Sequence, residues 1–278
     1  MTTPASTPST TAQSAKSSRA STPATTPAPT PATTPRANQY DLTGRVVVIT
    51  GGAGGLGRGV TAAFLKSGAG IVVADRAEAR ASVDATRGQL GQDADRLDFA
   101  AMDAGDEASV AAMVASVVAR HGRLDVLANL VGGYSAGQPI SELDLAVWTR
   151  MQDLNLRTAF LAAKHAAAPM IERGWGRILN ISARAAYSGR KRAAAYAVAK
   201  AGIITLTETL SEELRDHRIT ANCVLPSIID TPANRADIPD ADFTRWPKPE
   251  DIARVLVFLA SDDAWLISGA AIPVYGLA

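Results

Sequence analysis

The chain has 278 residues, with 28 Lys and Arg against 27 Asp and Glu, and a single cysteine, Cys223. This near balance of charge gives no electrostatic reason to expect a nucleic acid or an acidic membrane surface as a partner. One cysteine cannot form an internal disulfide, which favours a reducing, cytoplasmic location. The 3 histidines are scattered without metal-ligand spacing, and no apolar run is long enough to span a membrane.

Residues 1–38 consist almost entirely of Thr, Pro, Ala and Ser, and Lys16, Arg19 and Arg36 are their only charged residues. Such a segment buries too little apolar surface to offset the entropy lost on ordering, so we expect a disordered tail. The absence of acidic residues also resembles an organellar transit peptide, but the repeated prolines argue against an amphipathic helix. Residues 39–278 then form the folded part.

From Tyr40 onward, predicted strands and helices alternate along the chain. The predicted strands are 45–50, 70–75, 96–102, 124–130, 175–182, 218–225 and 271–275. The predicted helices are 55–68, 77–90, 106–121, 142–173, 192–216 and 248–262. The strands are continuously apolar, which is typical of a parallel sheet covered by helices on both faces. We therefore expect a single doubly wound α/β domain with a seven-stranded, mainly parallel sheet, and a ligand crevice at the carboxyl ends of its strands.

The first strand leads into the glycine-rich stretch Thr50–Gly57 (TGGAGGLG), which precedes the first helix. Strand, glycine turn and helix in this order open a Rossmann-type dinucleotide-binding unit. Gly51 permits a tight turn, Gly55 keeps a Cβ away from the pyrophosphate, and Gly57 permits close packing of the helix. The residues of this turn that we expect to contact the cofactor are Thr50, Gly51, Gly55, Leu56 and Gly57.

The second strand ends in Asp75, about 20 residues beyond the glycine turn, where a carboxylate accepts hydrogen bonds from the adenosine ribose. The same carboxylate would repel the 2′-phosphate of NADPH, so we expect NAD as the cofactor, with NADH favoured over NADPH. Arg76 follows directly, and its guanidinium could partly neutralise that phosphate.

A second pattern, Tyr196 and Lys200 in AAAYAVAKAG, places two functional groups four residues apart on a predicted helix. Residues at this spacing project from the same helix face. An ammonium group beside a phenol is expected to lower the pKa of the phenol and make it a usable proton donor near neutral pH. The same lysine could hydrogen-bond a ribose hydroxyl of the cofactor.

Taken together, these motifs show that residues 41–278 resemble the short-chain dehydrogenase/reductase family. The family motif T-G-x-x-x-G-x-G matches Thr50–Gly57, and Y-x-x-x-K matches Tyr196 and Lys200. The resemblance implies further roles for other residues. These are Asp103 against the adenine, Asn155 on a helix where it positions a proton-relay water, and Asn129, Gly132, Pro226 and Thr231 at the cofactor, with Thr231 at the nicotinamide carboxamide.

Two positions depart from the family pattern. The segment N-N-A-G is replaced by Asn129-Leu130-Val131-Gly132, and the position of the usual catalytic serine, thirteen residues before the tyrosine, is Ala183. The neighbouring Ser182 could take over as a catalytic residue if the strand is shifted by one residue. Alternatively, its side chain points to the opposite face and satisfies local backbone groups.

The departures resemble one branch of the family, dihydropteridine reductase, in VGGY (131–134), SARAA (182–186) and the stretch 230–246. That branch also carries alanine in place of the serine, and it uses NADH to reduce a quinonoid dihydropterin. The resemblance thus implies a quinonoid or imine substrate with Tyr196 as proton donor, although Asn155 departs from the branch.

Two other functions remain open: a carbonyl or alcohol oxidoreductase, and a catalytically silent dinucleotide-binding regulator or scaffold. We also expect a homo-oligomer, a dimer or a tetramer, because the helix at 192–216 presents small residues that permit close helix packing and relatives pair through this helix. These residues are Ala193, Ala194, Ala197, Ala201 and Gly202.

Overall fold

The computed structural model describes residues 40–278, so the Thr/Pro/Ala/Ser-rich tail predicted for residues 1–38 lies outside the described residues. Seven parallel strands form one sheet in the order β3-β2-β1-β4-β5-β6-β7. The strands are β1 (Val46–Thr50), β2 (Gly70–Asp75), β3 (Leu97–Ala101), β4 (Val126–Asn129), β5 (Gly176–Ile181), β6 (Ile219–Pro226) and β7 (Ala271–Val274). This order confirms the predicted seven-stranded Rossmann-type sheet.

Nine α-helices are present in the described part of the chain. They are α1 (Gly55–Lys66), α2 (Arg80–Gly88), α3 (Glu107–His121), α4 (Leu145–Gln152), α5 (Thr158–Arg173), α6 (Ala185–Ser188), α7 (Ala194–Leu214), α8 (Pro232–Asp237) and α9 (Pro249–Ala260). Short 3₁₀ segments, such as Phe243–Arg245, lie between several of them.

The helices cover both faces of the sheet, as its continuously apolar strands require. Phe64 of α1 and Leu256 of α9 belong to the core on one face, and Val114 of α3 and Leu161 of α5 belong to the core on the other. Every residue of β1 is buried. Burial on both faces explains why the central strands carry no alternating polar residues.

The sheet register brings the ends of the central strands together. Thr50, the last residue of β1, pairs with Ala74 of β2 on one side and with Asn129 of β4 on the other. Asn129 in turn pairs with Asn180 of β5. The loops that follow these strands therefore start at the same edge of the sheet, where the crevice was predicted.

The long helix predicted at 142–173 differs in two respects. The helix begins at Leu145, and a π-helical segment, Asp153–Arg157, separates α4 from α5. A π turn widens the helix by one residue and changes the direction in which its side chains project. Asn155 lies within this segment.

The small residues predicted to form a subunit-pairing face on α7 are partly used inside the chain. Ala193 is buried, and a Cβ on Gly202 would lie 2.8 Å from Cδ2 of Leu156. These two residues are therefore packed within one subunit and leave Ala194, Ala197 and Ala201 for any pairing face. The homo-oligomer remains a prediction.

Within residues 40–278, no helix combines the length and the apolarity needed to cross a bilayer. The same part of the chain contains no group of three or more His, Cys, Asp or Glu residues arranged to hold a metal ion.

Candidate active site

A cleft of about 1590 Å³ opens at the carboxyl edge of the sheet. It is lined at one end by the glycine turn, Asp75 and Asp103, and at the other by Tyr196 and Lys200. The two patterns found in the sequence therefore share one cavity, which lies at the edge where a doubly wound sheet binds its ligands.

The glycine turn has the backbone geometry that its sequence predicts. Gly51 has φ of +68°, and its N–H donates to the Ala74 carbonyl at 2.9 Å. A Cβ on Gly57 would lie only 2.4 Å from the Gly51 oxygen, so a side chain there would displace the turn. A Cβ on Gly55 would come within 3.0 Å of Cγ2 of Thr231, so this glycine also permits contact between the turn and the loop after β6.

The amino end of α1 fits a dinucleotide pyrophosphate. Gly54 is the N-cap residue and provides no side chain to the free N–H groups of the first turn. Gly54, Gly55, Leu56 and Gly57 all line the cleft. Uncapped N–H groups and the positive end of the helix dipole form a site for an anion.

Thr50 and Asn129 do not line this cleft, and their contact with the cofactor stays a prediction. Thr50 is buried, and its hydroxyl accepts a hydrogen bond from the Leu130 N–H at 3.1 Å. Asn129 is buried too, and its side-chain amide donates to Oδ1 of Asn180 at 2.9 Å. The two residues are the last of β1 and β4, and their side chains are buried beneath the loops that line the cleft.

Asp75 and Asp103 lie in the cleft as predicted. The Ala53 and Arg76 N–H groups donate to the carboxylate of Asp75 at 3.2 and 2.9 Å. The Gly105 N–H donates to Oδ1 of Asp103 at 2.9 Å. Arg76 is exposed and also lines the cleft. These two carboxylates are held by backbone groups and fit hydroxyl and amino donors of an adenosine.

Asn155 is completely buried and holds the loop after β4. Its amide donates to the Gly133 and Met151 carbonyls, both at 3.1 Å, and its Oδ1 accepts from the Gly133 N–H at 3.1 Å. A Cβ on Gly132 would lie 2.8 Å from this Oδ1 and 3.2 Å from Nζ of Lys200. Gly132 therefore permits the close approach of loop, amide and ammonium.

Tyr196 and Lys200 project from the same face of α7 into the cleft, and Nζ of Lys200 lies 5.9 Å from the Tyr196 ring centroid. Nζ donates to the Ile181 carbonyl at 2.9 Å, which leaves donors for a further partner. Burial lowers the pKa of Lys200 to about 8. The expected lowering of the Tyr196 pKa is wrong for the protein alone, because burial and the neighbouring Tyr134 raise it to about 12, while Arg190 opposes this rise.

Ser182 and Ala183 follow β5 and line the cleft. The Ser182 hydroxyl donates to the Lys200 carbonyl at 2.7 Å, and the residue is 2 % exposed. This geometry agrees with the alternative in which Ser182 satisfies a backbone group, although that group lies 18 residues further along the chain and is not local. The methyl group of Ala183 offers a substrate no hydrogen bond.

Pro226 and Thr231 complete the cleft on the far side. Pro226 ends β6, and the side chain of Thr231 caps α8 by accepting a hydrogen bond from the Asn234 N–H at 3.3 Å. Both line the cavity.

Tyr134 is a cleft residue to which the sequence analysis assigned no role, although it ends the segment VGGY (131–134). Its ring is 56 % exposed and meets the Tyr196 ring edge-on, with 4.9 Å between the centroids. The sequence signal was its position two residues after Gly132, in a loop that must reach the tyrosine helix.

Comparison with known proteins agrees with this geometry. A family model described as short chain dehydrogenase matches residues 45–242. The (2S)-[(R)-hydroxy(phenyl)methyl]succinyl-CoA dehydrogenase subunit BbsD of Thauera aromatica is 35% identical over 243 residues, which cover 84% of this chain and 95% of the relative. The cis-4-hydroxycyclohexanecarboxylate dehydrogenase of Sinomonas cyclohexanicum is 34% identical over 240 residues, with 84% and 95% covered.

Among solved structures, a short-chain type dehydrogenase/reductase from Mycobacterium ulcerans superposes with a TM-score of 0.80 at 29% identity. The match covers 85% of this chain and 90% of that one.

Proposed function

The chain belongs to the short-chain dehydrogenase family, and from that premise we propose that it is an NAD(H)-dependent oxidoreductase that interconverts an alcohol and its carbonyl compound. The observation that carries the proposal is the presence of Tyr196 and Lys200 in one cleft with the uncapped amino end of α1 and Asp75. The relatives described above are dehydrogenases named for hydroxylated compounds, and they support an alcohol or carbonyl substrate over a pterin.

A nicotinamide dinucleotide, when bound, exchanges a hydride with the substrate. In reduction, Tyr196 donates its phenolic proton to the substrate's carbonyl oxygen, a role that suits a phenol kept protonated by burial. Lys200 stands beside it, with donors available for the ribose. Asn155 holds the loop after β4 in place through two hydrogen bonds with the Gly133 backbone.

The preference for NADH over NADPH rests on Asp75. Its carboxylate is fixed by two backbone N–H groups at the edge of the cleft, so it cannot easily turn away from a 2′-phosphate. Two anions in contact at intermediate dielectric repel by several kcal/mol. Arg76 and Arg58 also line this end and oppose the preference in part. The single, buried Cys223 supports a reducing compartment such as the cytoplasm.

Reduction of a quinonoid or imine substrate resembling a dihydropterin is the second candidate, and Ala183 favours it. A ketone oxygen gains from a hydroxyl donor at this position as its negative charge develops. A conjugated quinonoid imine does not present the same developing alkoxide, so it tolerates a methyl group there.

A single assay separates the candidates. Purified protein is supplied with NAD⁺ and a panel of secondary alcohols, with NADH and the matching ketones, and with NADH and quinonoid dihydropterin, while absorbance of NADH is followed. We expect turnover with at least one alcohol–ketone pair. Turnover with the pterin alone would support the second candidate, and NADH binding without any turnover would indicate a silent dinucleotide-binding protein.

A further inference from the structure

The substrate end of the cleft holds an exposed aromatic ring that nothing in the described chain covers fully. Tyr134 lines the cavity and is 56 % exposed, with its ring edge-on to Tyr196. A large aromatic surface in a cleft beside the proton donor is a surface that a substrate covers on binding.

Arg190 lies over the same ring. Its guanidinium carbon is 5.8 Å from the Tyr134 ring centroid. Its charge also acts on the Tyr196 phenol, whose pKa it lowers against the larger effect of burial. The three residues thus form a row in which Tyr134, a cleft residue, lies between the proton donor and the exposed guanidinium of Arg190.

Among residues 40–278, no carboxylate forms a salt bridge with Arg190. From Arg173 to Thr207 the chain contains no Asp or Glu. Asp153 lines the substrate end of the cleft, but it pairs with Arg157, whose Nη1 lies 3.8 Å from Oδ1 of Asp153. Arg190 is exposed and does not itself line the cleft, but it lies over a ring that does. An exposed arginine without a carboxylate partner beside a cleft favours an anionic ligand.

The alanine at position 183 is a further reason to expect a substrate-orienting group elsewhere in the cleft. With a methyl group at 183 and the Ser182 hydroxyl donating to the Lys200 carbonyl, neither side chain donates a hydrogen bond to the carbonyl oxygen of a substrate. Residues elsewhere in the cleft are therefore needed to orient a ketone.

We propose that Tyr134 and Arg190 form the substrate-orienting site, and that the substrate is an aromatic or cyclic compound with a carboxylate remote from its reacting carbon. The ring of the substrate packs against Tyr134, and its carboxylate pairs with Arg190. This inference rests on the proposed alcohol–carbonyl function and specifies its substrate class.

The test uses two ketones that differ only in charge, 4-acetylbenzoate and its methyl ester, with NADH. Wild type should prefer the acid. Arg190→Gln should raise KM for the acid about fivefold to tenfold, the effect of losing one charge-assisted contact at a partly exposed site, and leave the ester within about twofold. Arg190→Lys should restore part of the preference. Tyr134→Ala should raise KM for both the acid and the ester, because it removes the ring that both contact.

Lys191→Gln is the matched control, since Lys191 is an exposed neighbouring cation that does not lie over Tyr134. It should leave both KM values unchanged. An equal loss in Arg190→Gln and Lys191→Gln would overturn the proposal, because it would reflect a general field at the rim. Equal KM values of wild type for the ester and the acid would also overturn the proposal.

A binding measurement separates failure of this inference from failure of the proposed function. Calorimetry with 4-isopropylbenzoate and its methyl ester, neither of which can be reduced, measures affinity for the enzyme with NADH bound. If the enzyme binds 4-isopropylbenzoate and Arg190→Gln weakens that binding, the result supports the site even when neither ketone is reduced. In that case the alcohol–carbonyl assignment is the part that fails. Binding that does not depend on Arg190 overturns the site.

Discussion

The hydroxyl of Ser182 provides a sharp test of the cleft geometry. It donates to the Lys200 carbonyl at 2.7 Å and is 2 % exposed, so we infer a structural contact between the loop after β5 and α7. A buried hydrogen bond of this kind contributes about 1 kcal/mol to the free energy of unfolding. In a domain of this size, that loss lowers Tm by about 3 °C. Ser182→Ala should therefore melt slightly earlier and keep kcat within about threefold of wild type, because the removed group does not contact the substrate.

Ser261→Ala is the matched control for this experiment. The Ser261 hydroxyl donates to the Phe258 carbonyl at the same distance, 2.7 Å, and is 4 % exposed at the end of α9. The two variants should show similar losses of Tm in calorimetry and similar turnover. A hundredfold loss of kcat in Ser182→Ala alone would contradict a purely structural role and make Ser182 the catalytic serine.

Four further predictions concern the same cleft and its surroundings. Ala183→Ser should raise turnover of ketones in steady-state assays, since it supplies a hydrogen bond to the developing alkoxide, while unchanged ketone turnover would argue against this role. Asp75→Ala should bring the kcat/KM values for NADH and NADPH closer together, and equal values in wild type would contradict the assignment of Asp75. Burial lowers the pKa of Lys200 to about 8, so burying its charged form destabilises the folded state at lower pH. As pH rises from about 8 towards 10, the folded state loses this proton before the unfolded state does, and the free energy of unfolding increases. The Tm of wild type should therefore rise relative to Lys200→Met over this range, and parallel Tm profiles would refute it. Light scattering at micromolar concentration should give a dimer or tetramer mass, whereas a monomer mass would rule out the oligomer.

The strands and the location of the crevice follow from the sequence because the physical signals are local. Runs such as Val46–Ile49 can be buried only in a sheet covered on both faces, and the glycine turn needs the positive φ seen at Gly51. The order of strand, turn and helix then places the amino end of α1 at the carboxyl edge.

The details of the site depend on contacts between distant segments, which a local pattern does not reveal. Ser182 donates its hydrogen bond to α7, 18 residues further along the chain, and Asn129 turns towards Asn180, 51 residues away. The π segment around Asn155 widens a helix by one residue without interrupting its apolar pattern. The high pKa of Tyr196 results from burial in the assembled cleft and from the neighbouring Tyr134, neither of which the Y-x-x-x-K spacing reveals.

Transfer of the proton by Tyr196 in an NAD(H)-dependent reaction can be tested by removing the phenolic hydroxyl alone. Tyr196→Phe and wild type should be compared for turnover of the best alcohol–ketone pair and for the Kd of NADH by fluorescence titration. We predict that kcat falls by a factor on the order of 10² to 10⁴, the range for loss of a general acid, while the Kd stays within about threefold. Unchanged turnover in Tyr196→Phe would contradict the account.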